Sequence, residues 1–293
     1  MRLYHKYRHG FVALLLAALL LAGCASGGAS ESSVSGQGSS EVPAVSQQDN
    51  ISSQSQEASA GDSSEAENPS GGEHVTPANA VSESSPVEPS FFDDAVFIGD
   101  SVSLKLQLYI QAQKQQNNYP LGQAQFLTAG SLGSGNALWE VSDKSVHPTY
   151  QGTKMLLEDA VAASGAQKVY IMLGMNDVGL YGIDQSVDNM QTLLKNIQAK
   201  SPNAVFYVQS ATPMVDGRQQ EDLNNANLTA YNEKLAAMCA TNGYNYIDVA
   251  SVLTDETGGL IREYCSDPDD MGIHFTDTGC QVWIDYLAKH TGA

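Results

Sequence analysis

Between residues 95 and 290, short apolar runs alternate with longer helical patterns, and this alternation limits the fold more than any other feature of the chain. The runs are Ala95–Ile98, Ala124–Ala129, Lys168–Leu173, Ala204–Gln209 and Tyr244–Val249. Helical spacing is expected over 101–116, 151–163, 184–200, 222–242 and 277–290. Continuous Val, Ile, Tyr and Phe runs suit strands buried on both faces, and a strand followed each time by a helix suits a parallel sheet. The expectation is an α/β domain with a five-stranded parallel sheet covered by helices on both sides. Ligands of such sheets bind beyond the carboxyl ends of the strands. Any chemistry should therefore lie in the residues just after each run.

Four blocks stand in those places. Gly99-Asp100-Ser101 follows the first run, and Thr128-Ala129-Gly130-Ser131-Leu132-Gly133 follows the second. Leu173-Gly174-Met175-Asn176-Asp177 follows the third, and Asp269-Asp270-Met271-Gly272-Ile273-His274 precedes the last helix. A serine hydroxyl is a poor nucleophile at neutral pH and needs a base to take its proton. His274 can be brought to the same sheet edge as Ser101, although 173 residues separate them. At a sharp strand-to-helix turn, Ser101 would present its oxygen, with its N–H at a helix start where negative charge is favoured. Each residue also has a plainer reading: Ser101 as a helix cap, Asn176-Asp177 as turn chemistry, His274 as a solvated residue. Asp177 suits bracing of its loop, and Asp100 suits holding the local turn. Trp139, Tyr181 and Met175 fit either a substrate groove or the core.

In order and spacing the four blocks resemble the GDSL, or SGNH, hydrolase family, whose name lists a Ser, a Gly, an Asn and a His in separate motifs. The resemblance covers essentially the whole domain. It implies a flavodoxin-like three-layer α/β/α sandwich, which agrees with the reading of runs and helices. It also implies Ser101 as nucleophile, His274 as base, and an oxyanion hole built from the Ser101 N–H, the Gly133 N–H and the Asn176 amide, with Gly130 as the alternative glycine. No cofactor or catalytic metal is implied. The family's acid stands three residues before its histidine, where this chain has Met271. Asp270 is four before, Asp269 five before and Asp267 seven before. A one-residue insertion would deliver Asp270 to the imidazole, with Asp269 next, and a dyad oriented by a backbone carbonyl is a third arrangement.

The first ninety residues point to an export route. Arg2, Lys6 and Arg8 precede an apolar stretch, Phe11 to Ala22, too short for a comfortable membrane span. It ends in Leu21-Ala22-Gly23-Cys24, which resembles the lipobox of bacterial lipoproteins. Residues 1–23 are accordingly expected to be a signal peptide, with lipid carried on Cys24. From 24 to 90 the chain is rich in Ser, Gly, Glu and Gln, with ten acidic residues and no Lys or Arg. Such a segment buries too little apolar surface to offset its ordering entropy and should act as a disordered tether spanning roughly 45 Å.

The hydrolase-like domain is expected over 91–293. It keeps 23 acidic residues against 11 Lys plus Arg, a net of −12 with no basic run, so nucleic acid is an unsuitable partner. Beyond Cys24 the cysteines are Cys239, Cys265 and Cys280. A Cys265–Cys280 bridge and buried free thiols are both compatible with the sequence, and no clustered spacing suggests a metal. The family resemblance, taken with the expected lipid anchor, implies an esterase of small acyl esters, O-acetylated glycans among them, on the extracytoplasmic face of the cell membrane. The same site would also serve an acyltransferase, and a non-catalytic envelope binding module of this fold is the reading from another class. Oligomeric state is not readable from the chain.

Overall fold

The computed structural model describes residues 76–292. The expected signal peptide, Cys24 and the tether up to residue 75 lie outside the described residues. The five runs become β1 (Ala95–Gly99), β2 (Gln125–Thr128), β3 (Lys168–Met172), β4 (Val205–Gln209) and β5 (Asn245–Ile247). They form one parallel sheet in the order β2-β1-β3-β4-β5, a flavodoxin-like arrangement. Among the described residues six α-helices accompany it: α1 (Ser101–Gln115), α2 (Leu157–Ser164), the single turn α3 (Val178–Tyr181), α4 (Ile183–Lys200), α5 (Asn225–Asn242) and α6 (Asp277–Lys289).

Strand side chains alternate between two cores, as a period of two requires. Val96, Ile98, Val169 and Ile171 pack with α2, α4 and α5 on one face. Phe97, Tyr170 and Met172 pack with α1 and α6 on the other. On that second face, in-register neighbours build an aromatic ladder across four strands. Phe126 stacks on Phe97, Phe97 on Tyr170 and Tyr170 on Tyr207, with ring centroids 5.4, 4.7 and 4.5 Å apart. Aligned aromatic pairs of this kind add to burial and help hold strand register.

Two local structures differ from the sequence expectation. The helix expected from residue 151 begins at Leu157, because Thr149–Tyr150 and Thr153–Lys154 pair as a small antiparallel ribbon. Gln151 and Gly152 both take positive φ at its tip, the geometry of a tight two-residue hairpin turn. The tether expectation also ends too late. Ala80 bridges Tyr246 in parallel, the Val81 N–H donates to the Tyr246 carbonyl, and the N–H groups of Ser84 and Val87 donate to the Lys289 and Ala288 carbonyls. This Ser-rich stretch uses its backbone to cover the edge strand β5, an interaction that side-chain composition does not report. The strap and α6 border a cavity of about 680 Å³ lined by Val81, Val282 and Tyr286 among others, and none of the four blocks reaches it. Among the described residues no helix is long and apolar enough to cross a membrane.

Candidate active site

β1 and β3 are neighbours, so the turns that follow them meet where the sheet's connections diverge to opposite sides, the usual ligand position in this topology. Gly99 ends β1 because a Cβ there would lie 2.0 Å from the Ser103 Oγ and 3.0 Å from the Met172 carbonyl. Its smallness lets α1 start directly against the sheet. Asp100 caps that helix, its Oδ1 accepting the Val102 N–H at 2.9 Å. Ser101 is the first helical residue, and its own N–H makes no hydrogen bond among the described residues.

The Ser101 Oγ lies 3.0 Å from the His274 Nε2, and the His274 Nδ1 lies 2.7 Å from the Asp267 Oδ2. With Nδ1–H donating to the carboxylate, Nε2 is left to accept the serine proton. The carboxylate on the His274 ring is thus that of Asp267, not of Asp270 or Asp269. Asp269 is exposed and pairs with Arg262 at 2.5 Å and Arg218 at 3.6 Å, with Arg262 the main cause of its lowered pKa. Asp270 is exposed, its N–H donating to the Asp267 carbonyl.

The reason is a short antiparallel ribbon. Cys265 bridges Phe275, the Ser266 N–H donates to the His274 carbonyl, and the Thr276 N–H donates to the Tyr264 carbonyl. This pairing sets Asp267 across from residues 273 and 274 and pushes 268–272 out as a tip. The Asp267 Oδ1 accepts the N–H groups of Ile273 at 3.1 Å and His274 at 3.0 Å, and the Cys265 thiol at 3.2 Å. Burial works to raise the Asp267 pKa. The bonds from the His274 ring, the His274 N–H and the thiol outweigh it and hold the carboxyl well below the usual range.

The opposite wall comes from the turns after β2 and β3. Asp177 is fully buried, and its carboxylate accepts the N–H groups of Ser134 and Gly135, both at 2.9 Å. Burial raises its pKa against those two bonds. A Cβ on Gly133 would lie 2.8 Å from that carboxylate, so glycine stands there to admit Asp177 beneath the loop rather than a substrate above it. Gly130 is exposed, and a side chain there would meet nothing within 4 Å.

Two of the three expected oxyanion donors face inward. The Gly133 N–H donates to the Asn136 Oδ1 at 2.9 Å. The Asn176 Nδ2 donates to the Asp100 Oδ2 at 3.2 Å and to the Leu132 carbonyl at 3.1 Å. Burial pushes the Asp100 carboxyl up to about 6, opposed mainly by the Val102 N–H and then by the nearby His274. Met175 is core, Tyr181 is half-buried beside Gly135, and Trp139 is 52% exposed after the Asn136–Leu138 turn. Cys239, Cys265 and Cys280 are buried free thiols, so the Cys265–Cys280 bridge does not form. Among the described residues no group of three or more His, Cys, Asp or Glu side chains is placed to hold a metal ion.

This geometry can take a proton from a hydroxyl and hold the resulting imidazolium against a carboxylate. Comparison with known proteins bears on the family. The model of the GDSL-like Lipase/Acylhydrolase family matches residues 97–282. No curated protein matches the sequence. Among solved structures, the chain is similar to a GDSL-like lipase from Bacteroides thetaiotaomicron, at 16% identity and a TM-score of 0.48 over 66% of this chain and 84% of that one. It is also similar to the periplasmic domain of a lipopolysaccharide acetyltransferase from Salmonella ser. Paratyphi A, at 14% identity and a TM-score of 0.45 over 66% and 82% of the two chains. An acetyl xylan esterase matches at 16% identity and a TM-score of 0.42 over 66% and 96%.

Proposed function

The chain belongs to the GDSL-like lipase and acylhydrolase family, and from that premise we propose that it is a serine esterase that cleaves small acyl esters through an acyl-enzyme. The observation that carries this reading is the unbroken line from the Ser101 Oγ through His274 to Asp267, with contacts of 3.0 and 2.7 Å. In the proposed reaction the Ser101 oxygen attacks the ester carbonyl while its proton passes to the His274 Nε2. Asp267 keeps the ring in the required tautomer and stabilises the imidazolium. Collapse of the tetrahedral intermediate breaks the bond to the alcohol, which leaves with the proton from His274. Water then repeats the sequence on the acyl-serine and releases the acid. The Ser101 N–H is available to the oxyanion from the start. Asn176 and Gly133 join it when substrate draws their N–H groups away from Asp100, Leu132 and Asn136.

For substrate, the reading is an O-acetyl ester on a carbohydrate, cell-wall glycan included. Its supports are the sequence features that suggest a lipid on Cys24 and an extracytoplasmic position, with an acidic segment between anchor and domain. Acetate release from p-nitrophenyl acetate and from O-acetylated peptidoglycan and xylan tests it. Turnover that falls as the acyl chain lengthens and vanishes in Ser101→Ala is the expected result. A folded protein that releases no acetate from any of them would remove the esterase reading. Labelling of expressing cells with a radioactive fatty acid, lost in Cys24→Ala, tests the anchor separately.

A further inference from the structure

We propose that Cys265 is a positioning residue for this reaction, its thiol fixing the carboxylate of Asp267 in the orientation that aligns His274. The inference rests on the esterase reading above and concerns a residue that the four blocks do not contain. Cys265 and Asp267 are two apart on one arm of the ribbon, so their side chains project from the same face. The Sγ lies 3.2 Å from the Asp267 Oδ1, and the thiol is 5% exposed. An ionised carboxylate only accepts, so the hydrogen in that contact comes from sulfur.

Burial first, and then the neighbouring carboxylate, push the Cys265 thiol up to about 12, so it stays protonated and remains a donor wherever an esterase of this type works. Arg262, on the turn before it, is the other charged group that acts on it. The Oδ1 is thereby held from three sides, by two backbone N–H groups and the thiol, while Oδ2 is left for the imidazole. The two backbone donors sit on the return arm of the ribbon, where Ile273 is itself buried. Cys265 is the one side-chain donor to Oδ1 and the one on the opposite arm, buried in the core cluster that holds Phe275 and Trp283. It therefore ties the carboxylate to the core from its own arm of the ribbon, independently of the return arm.

The test compares the full chain with Cys265→Ser, Cys265→Ala and Cys265→Val in p-nitrophenyl acetate turnover across pH, with thermal unfolding alongside. Serine keeps a donor, alanine removes donor and volume, and valine fills the space without a donor. The account expects kcat to fall about tenfold in both Ala and Val with KM unchanged, and to recover to within about threefold in Ser. A valine variant as active as the parent would overturn the proposal and leave sulfur as core filling. If only melting temperature changes across the series, the same conclusion follows. A parent chain without turnover would remove the esterase reading itself, and this proposal with it.

Discussion

The two walls around Ser101 are built from similar materials and are in opposite states. On the base side, the ribbon 264–276 directs its polar atoms outward along one line, from Asp267 through His274 to the Ser101 Oγ. On the oxyanion side, the turns at 131–136 and 176–177 direct theirs inward, with the Gly133 N–H on Asn136 and the Asn176 amide on Asp100 and Leu132. On the proposed esterase reading, activation of the hydroxyl is assembled before substrate arrives, whereas most of the oxyanion hole has still to be exposed. Preorganised donors accelerate a reaction because nothing has to reorient at the moment charge develops. A site with one finished wall should bind a reactive probe readily and discriminate among substrates by how well each opens the other wall.

The largest expected effect tests the finished wall. Asp267→Asn should lower kcat by roughly four orders of magnitude, because the imidazole loses both its tautomer and its counter-charge. Asp269→Asn and Asp270→Asn should stay within about threefold of the parent, and a large loss in either would return the acid to the loop tip. On the unfinished wall, Asn176→Ala should cost roughly 10²–10³ in kcat. An unchanged rate there would mean that the amide never leaves Asp100 and Leu132.

Asp100 joins the two walls, and its titration offers a milder probe. Its folded pKa of about 6 lies above its unfolded value, so the protonated form favours folding. That contribution is full below about pH 4 and is lost as pH rises through 6, a change of roughly 3 kcal/mol. Denaturant unfolding at pH 4 and pH 7 should show it in the parent and not in Asp100→Asn. The smallest effect is Gly133→Ala, expected to cost about 2 kcal/mol as the new methyl group displaces the Asp177 carboxylate. A stability equal to that of the parent would show the loop to be slack.

How much of this was legible in the chain depended on whether geometry followed local sequence. The strands were readable because both faces are buried, which leaves Val96 to Ile98 and Val169 to Met172 as unbroken apolar runs. The sites after β1 and β3 followed from the topology, and the approach of His274 to Ser101 from the sheet edge they share. The acid did not follow, because reach across an antiparallel ribbon depends on which residues face each other. Seven residues of separation bring Asp267 closer to the imidazole than four bring Asp270. The strap at 79–87 escaped for a related reason: its bonds are made by backbone groups that every residue carries. At Gly133 the residue was legible and its reason was not, since the group that needs the space is the carboxylate of Asp177.

The most direct measurement is labelling of the purified chain with a fluorophosphonate, with the adduct located by mass spectrometry. The account predicts a single adduct on Ser101 that forms at the parental rate in Asp269→Asn and Asp270→Asn, slows strongly in Asp267→Asn and disappears in His274→Ala. An adduct elsewhere, or labelling of Ser101 that is indifferent to His274 and Asp267, would contradict it and leave Ser101 as the first residue of a capped helix.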